Sequence, residues 1–238
     1  LQNIQNTAED HDLLFPLSLS AEGSCQIGGN VSTNAGGVNV LKYGMARDQV
    51  MGIEVVLPDG SLFSDLKSLR KNNTGYDLKQ LFIGAEGTLG VITKVSLRLS
   101  SSPEREITSM VSVQKVDDAI TLLKETKKRF GDNVTAFEFI SQSCLVSINK
   151  FLNHIKLPLG FEDSWQIIFE VINHDEDALL DFLEEHVNKG LITNGLIAKS
   201  EKERNDFWLV RHSISEAEKL SGRGVHHDIS LPIKKIPE

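Results

Sequence analysis

GGNVSTNAGG, Gly28 to Gly37, places four glycines and two asparagines in ten positions and carries no charge. Glycine adopts positive φ and lets a backbone approach a ligand closely. Successive main-chain N–H groups can then form a concave anion site, with Asn and Thr adding directional hydrogen bonds. The same composition also suits tight turns between short strands. The run lacks the G-x-G-x-x-G spacing of a Rossmann turn and the Gly-Lys-Ser/Thr ending of a P-loop. A neutral, lysine-free cradle fits a ligand with broad polar and aromatic surface better than a bare triphosphate.

Around this segment, from Leu13 to about Leu99, glycines alternate with β-type runs. Gly52 to Leu57 (GIEVVL), the turn residues Pro58-Asp59-Gly60 and the following SLF predict a hairpin. Leu81 to Ile83 and Gly90 to Leu99 predict further strands, the second with Val91, Thr93, Val95, Leu97 and Leu99 on one face. Pro103 marks a change in composition, giving expected domains at 1–102 and 103–238. Beyond it the pattern predicts strands at Ile107–Val113, Ala136–Ile140, Trp165–Ile172 and near Leu196–Ala198. Helices are expected at Asp117–Phe130, with Ile120, Leu123 and Phe130 on one face and Gly131 as the stop, and at Gln142–Phe151. Asn173 with Glu176 reads as a capping box for a helix ending at Gly190, and a long helix follows from about Glu201 to Leu220 before an extended GVHHDISLP. Short, half-polar strands favour helices packed on a mainly antiparallel sheet, an α+β fold, over a doubly wound parallel one.

At 238 residues the chain has room for one large or two medium domains. A formal charge of −8 and the lack of a basic cluster argue against a nucleic-acid surface. No apolar run approaches a membrane span, and no signal-peptide pattern is present, so secretion is not expected. Cys25 and Cys144 give neither a metal spacing nor a disulfide framework, which makes a reducing compartment the default. LQNIQNTAEDHDLLFPLSLS lacks an initiator methionine and reads as mid-domain sequence, so an internal fragment of a longer protein is expected.

Gly23-Ser24-Cys25 leads into the glycine segment, Lys42-Tyr43-Gly44 follows it, and LRKNNTGYDLKQLFIGAEGTLGVIT closes the region. Together with EVVLPDG, these residues resemble the FAD-binding PCMH-type fold of the vanillyl-alcohol oxidase group. The similarity is to the branch holding D-2-hydroxyglutarate dehydrogenase, D-lactate dehydrogenase and the glycolate oxidase flavin subunit, and it runs from about Leu13 to Leu99. The resemblance implies that Gly23 to Gly37 wrap the flavin's pyrophosphate and ring side. Ser24, Asn30, Thr33 and Asn34 would be side-chain donors, with Gly28, Gly29, Gly36 and Gly37 allowing close approach. Tyr43 and Gly44 belong to the same implied cofactor set, and Glu86, Gly87, Gly90, Val91 and Ile92 would give contacts on the adenosine side. For Glu86 a buried turn carboxylate satisfied by amides is the alternative. Tyr76 and Asp77 are expected to brace the loop.

The second half resembles the C-terminal substrate (cap) domain of FAD-linked oxidases, a ferredoxin-like arrangement, here incomplete. In FWLVRHSISEAEKLSGRGVHHDISLP, Phe207 to Pro232, Arg211 and Ser215 stand four apart and share one face of the expected helix. An arginine fork can hold a carboxylate through two hydrogen bonds. The resemblance implies that this pair contacts the distal carboxylate of a D-2-hydroxy acid, while a surface pairing of Arg211 with Glu201, Glu203 or Glu216 is the alternative. His226 stands where the family often has a substrate-contacting lysine, which leaves room for a D-lactate or glycolate substrate. In an extended strand His226 and Asp228 point opposite to His227, so the three cannot share one ion. His11, His154, His174, His186 and His212 read as ordinary surface or helix residues.

The family's upstream pyrophosphate loop, its His/Glu ligands for a zinc-like divalent metal and its catalytic histidine have no counterpart motif here. No catalytic or metal-binding residue is therefore assigned within the chain, and the isolated piece is expected to hold FAD weakly and not to turn over. Implied for the parent are FAD, a small-molecule 2-hydroxy acid, and an electron acceptor (an electron-transfer flavoprotein, a quinone or a cytochrome). A homodimer and a bacterial cytoplasm or mitochondrial matrix complete the expectation. A non-catalytic module on the same fold is the alternative from another class.

Overall fold

In a computed structural model, which describes residues 1–160, 165–225 and 227–237, the chain divides into two units, Leu1–Ser102 and Pro103–Glu238. The first unit carries strands β1 (Leu13–Leu14), β2 (Val50–Val56), β3 (Leu62–Asp65), β4 (Val91–Leu97) and β5 (Ser100–Ser101). Its helices are α1 (Gln2–Glu9), α2 (Ile27–Ser32), α3 (Val40–Tyr43), α4 (Ala46–Gln49) and α5 (Lys79–Phe82). β2 and β3 form the expected hairpin, pairing Ile53 with Asp65 through Val56 with Leu62. The turn closes because Asp59 accepts from the Ser61 N–H and hydroxyl, at 2.9 and 2.6 Å, and Gly60 supplies a φ of +83°.

β4 pairs antiparallel with the other side of β2. Register slips between Glu54 and Val55, whose partners Lys94 and Ile92 leave Thr93 as an extra residue. One inserted residue reverses the faces. Ile92, Val95 and Leu97 therefore pack on Val31, Ile53 and Val55, while Val91, expected on one face with Val95 and Leu97, is 65% exposed. The strand expected at Leu81–Ile83 is also corrected, since Lys79–Phe82 is helical. The Arg47 guanidinium holds that helix by donating to the Gln80 and Ile83 carbonyls, at 3.1 and 2.6 Å, as terminal carbonyls require. Phe82 stacks on Phe63 at 5.3 Å between centroids.

The second unit contains β6 (Glu106–Val113), α6 (Val116–Phe130), β7 (Val134–Ile140), α7 (Gln142–Phe151), β8 (Trp165–Ile172) and α8 (Glu176–Asn188). β9 (Asn194–Ile197), α9 (Glu201–His212) and α10 (Ile214–Ser221) follow. The sheet order is β7-β8-β6-β9, with every neighbouring pair antiparallel, the split β-α-β arrangement of ferredoxin-like folds. Alternate residues divide the core. Val111, Val113, Ile167, Phe169 and Val171 face α6 and α8, whereas Met110 and Ile168 face α7, α9 and α10.

Three expectations are corrected by packing in this unit. α6 buries Ala119, Leu122, Thr126 and Phe130, leaving Ile120 and Leu123 half-buried. Asp175, not Asn173, precedes α8. Asn173 has φ +54° and ties β8 to the chain before β6, accepting from the Glu104 N–H and donating its own to the Arg105 carbonyl, both at 3.0 Å. The long helix is interrupted at Ser213, because Ile214 and Ala217 of α10 pack with Leu145 and Ile148 of α7. His186 is buried, its ring 4.2 Å from that of Phe182 and its Nδ1–H donating to the Phe182 carbonyl at 2.7 Å.

Under α9 lies a charged group. Glu170 of β8 is 3% exposed. Its Oε2 accepts from the Thr108 hydroxyl at 2.7 Å, the Arg204 Nε at 3.1 Å and the Trp208 Nε1 at 3.2 Å. Arg204 also pairs with Glu106 through Nη2 at 2.7 Å. Breaking a buried pair strands the remaining charge, so Arg204→Met is expected to destabilise this unit by about 3 kcal/mol. Urea unfolding followed by tryptophan fluorescence measures the loss, which the double change Glu170→Met, Arg204→Met is expected to recover in large part.

Burial raises the pKa of Glu106, with the neighbouring Glu170 charge adding to the shift and Arg204 opposing it. A raised folded-state value means a stabilising contribution complete below the unfolded carboxyl pKa and lost as pH rises through the folded one. The stability of the parent relative to Glu106→Gln is therefore expected to grow as pH falls across that window, read from paired urea midpoints.

Candidate functional site

The glycine segment is more ordered than either sequence reading required. Ile27–Ser32 forms α2, whose Val31 is fully buried against Ile53 and Val55. Thr33 turns its hydroxyl back to the Gly29 and Asn30 carbonyls, at 3.1 and 3.3 Å. Asn34 takes φ +50°, and its Oδ1 accepts the Arg47 N–H at 2.9 Å. Two of the four expected side-chain donors thus shape the segment itself. Ser24 is exposed, with its hydroxyl 3.3 Å from the Ala21 carbonyl. Asn30 is buried, and its Oδ1 has no partner among the described residues.

Several glycines answer to the chain's own packing. At Gly37, φ is +81° and a Cβ would lie 2.1 Å from the Ser18 carbonyl oxygen. At Gly90 a Cβ would meet Val55 Cγ1 at 2.6 Å and the Val56 oxygen at 2.7 Å. A Cβ on Gly28 would stand 3.0 Å from the Ile92 carbonyl, on Gly36 3.4 Å from Val40 Cγ2, and on Gly44 2.3 Å from an Asp48 carboxylate oxygen. Gly29 and Gly87 differ, having no atom within 4 Å of that position, and Gly23 has only the Gln2 side chain, at 3.6 Å.

The Gly84–Gly87 loop docks on the end of α2, with the Gly84 N–H donating to the Val31 carbonyl at 3.2 Å and the Glu86 N–H to Ser32 at 2.9 Å. The Glu86 carboxylate is exposed rather than buried in the turn. Tyr43 ends α3, and its carbonyl accepts from the Gln49 amide. Tyr76 is 93% exposed and braces nothing, whereas Asp77 accepts from Lys79 Nζ and Gln80 Nε2 at 2.5 and 3.1 Å. The hydrogen bond from Lys79 is the main reason the Asp77 carboxyl sits below its usual pKa. Arg47, which sequence reasoning passed over, joins α4, Asn34 and α5. Nothing local marks it, because its partners are backbone and side-chain oxygens from distant parts of the chain.

In the second unit, Arg211 lies in the last turn of α9 and donates its Nε to Oε2 of Glu138 on β7 at 2.5 Å. The acidic partner is therefore a sheet residue, not Glu201, Glu203 or Glu216. Its two Nη groups make no hydrogen bond to a described residue. Ser215 lies beyond the interruption, exposed on α10, so it does not share one continuous helix with Arg211. His226 falls outside the described residues. His227 and Asp228 are exposed, without regular structure. Among the described residues no group of three or more His, Cys, Asp or Glu could hold a metal ion, and no helix is long and apolar enough to cross a membrane.

Two glycines of one segment should respond oppositely to alanine. Gly37→Ala is expected to cost more than about 1 kcal/mol, from strained φ and the clash with Ser18. Gly29→Ala, inside α2 and facing open space, is expected to gain about 0.5–1 kcal/mol. Thermal unfolding of the two variants checks both signs.

Residues 1–65 match the FAD binding domain family, and residues 102–238 match the family of FAD linked oxidases, C-terminal domain. The chain is 41% identical over 242 aligned residues to the mitochondrial D-2-hydroxyglutarate dehydrogenase of Danio rerio, which covers 99% of this chain and 45% of the relative. It is 37% identical over 231 residues to the D-2-hydroxyglutarate–pyruvate transhydrogenase of Saccharomyces cerevisiae, covering 95% and 47%. The chain thus spans a little under half the length of these curated relatives. A solved alkyldihydroxyacetonephosphate synthase shares the fold, with a TM-score of 0.61 at 16% identity over 91% of this chain and 43% of that one. By sequence and by architecture, this chain belongs to the FAD-linked oxidase family.

Proposed function

We propose that the chain is part of an FAD-dependent dehydrogenase of D-2-hydroxy acids, with D-2-hydroxyglutarate or a close analogue as substrate. The observation that carries this reading is the 41% identity to a D-2-hydroxyglutarate dehydrogenase across 99% of the chain, leaving neither unit unmatched. Residues 1–102 would be the second half of the FAD-binding domain and 103–238 the substrate domain.

The first unit fits a flavin nucleotide. Gly23, Gly29 and Gly87 leave room for close approach, and Asn30 offers a buried oxygen lacking a donor, which a ligand hydroxyl or N–H would supply. Exposed Ser24 and the main chain of Gly28 to Gly37, Tyr43-Gly44, Glu86-Gly87 and Gly90 to Ile92 would complete the cradle. When bound, FAD supplies the two-electron acceptor that lets a secondary hydroxyl become a carbonyl. The chain's own contribution to the substrate is Arg211, whose Nη groups would take the distal carboxylate as a fork, with Ser215 and His226 as further contacts.

The divalent metal that the resemblance implies for the parent would be held by residues other than the described ones, among which no group of three or more His, Cys, Asp or Glu could hold it. The oxidised product would be the 2-oxo acid. The electrons would leave to an electron-transfer flavoprotein, a quinone or a cytochrome. A mitochondrial matrix location accords with the names of the relatives, and a homodimer remains part of the proposal.

In the flavin-loaded parent protein that contains this chain, Arg211→Ala is expected to raise KM for D-2-hydroxyglutarate roughly 10- to 100-fold, the loss of hydrogen bonds to a charged group. Gly29→Ala is expected to weaken FAD binding, read by flavin fluorescence, without loss of thermal stability. A parent protein that takes up no FAD defeats the reading. Equal kcat/KM for D-lactate and D-2-hydroxyglutarate would replace the dicarboxylate substrate with a monocarboxylate.

A further inference from the structure

On α9, Arg204, Trp208 and Arg211 recur at intervals of four and three, which puts them on one helical face. Two carboxylates of the underlying sheet answer that face. Glu170 takes Arg204 and Trp208, and Glu138 takes Arg211. The two sites differ in character. Glu170 is sealed, with its side chain 4% exposed, while Glu138 and Arg211 are 22% and 36% exposed. An ion pair this open to water adds little to stability, about 0–1 kcal/mol. Its consequence is geometric.

Glu138 grips the guanidinium on its Nε side. A guanidinium is planar, so fixing that side fixes the plane, and the end-on pair of Nη groups stays available. Without the grip, the long side chain would have to be ordered at the moment of binding, at a cost in rotamer freedom. Glu138 also balances the Arg211 charge before any anion arrives. We propose that Glu138 is a positioning residue that holds Arg211 ready for a second carboxylate, and so sets the preference for dicarboxylate over monocarboxylate substrates. This inference rests on the reading of Arg211 as the carboxylate fork. Glu138 itself would not touch the substrate.

The test uses steady-state kinetics of the flavin-loaded parent protein with D-2-hydroxyglutarate and D-lactate. Glu138→Ala is expected to raise KM for the dicarboxylate about 5- to 10-fold, the loss of one charge-assisted hydrogen bond, and to lower kcat much less. The KM for D-lactate, which lacks the second carboxylate, is expected to move far less. Glu138→Gln keeps an acceptor for Nε and removes the opposing charge, so its KM for the dicarboxylate is expected at or below that of the parent. Glu138→Asp withdraws the carboxylate by one methylene and is expected to raise that KM, which keeps the test open should the alanine variant not fold. A dicarboxylate KM unmoved by Glu138→Ala or Glu138→Asp, while Arg211→Ala raises it, overturns the positioning role alone. Equal losses for both substrates in the alanine and glutamine variants overturn it too, as a purely structural effect. A KM unmoved by Arg211→Ala brings down the carboxylate fork and the positioning role together.

Discussion

A single buried carboxylate, Glu170, governs how the second unit is assembled. Set at the middle of the sheet and almost without water, its charge is tolerable only if it is fully hydrogen-bonded. One donor comes from each neighbouring strand, Thr108 and Thr135, and two from α9, Arg204 and Trp208. The helix cannot slide or rotate by a residue without withdrawing two of these donors, among them the only cation that meets the carboxylate among the described residues. Its register is thereby fixed, and so is the position of Arg211 at its far end. Apolar packing of Phe207 and Val210 on Met110 and Ile168 would by itself allow more freedom, because hydrophobic contact is not directional.

The first unit reaches a comparable result through backbone rather than charge. α2, β4 and the Gly84–Gly87 loop come within main-chain contact, and the glycines at 28, 37 and 90 stand close against main-chain oxygens of Ile92, Ser18 and Val56, which leave no room for a side chain. Arg47 secures the arrangement from the other side by binding carbonyls at the end of α5. The glycines thus fall into two groups. Some let the protein approach itself, and Gly29 and Gly87 leave space for something else. Composition cannot separate these groups, since both appear as the same letter.

Local chemistry made part of the fold legible. Pro58-Asp59-Gly60 after a β-branched run and before Leu62-Phe63 specified the hairpin. Trp165–Ile172 and Gln142–Phe151 were read to the residue, because the first is a strong β-branched run and the second starts with a Ser141 cap accepting from the Cys144 N–H. Failures arose where a distant partner outweighed the local pattern. The bulge at Thr93 exchanged the faces of β4. Leu81-Phe82-Ile83 is too short for period to distinguish strand from buried helix, and Arg47 chose the helix. Asn173 was drawn from capping into bonds that tie the end of β8 to the residues ahead of β6, and α10 was taken from α9 by α7.

For the site the division is similar. From the residues alone came an uncharged glycine cradle and an arginine suited to a carboxylate, since residue type and spacing carry that chemistry. The allocation of their hydrogen bonds belonged to tertiary structure. Thr33 and Asn34 are committed to their own segment, Asn30 retains an unanswered oxygen, and Arg211 leans on Glu138, 73 residues away in the chain. Hydrogen-bonding capacity is written in the sequence, but which groups use it on one another depends on distances that exist only after folding.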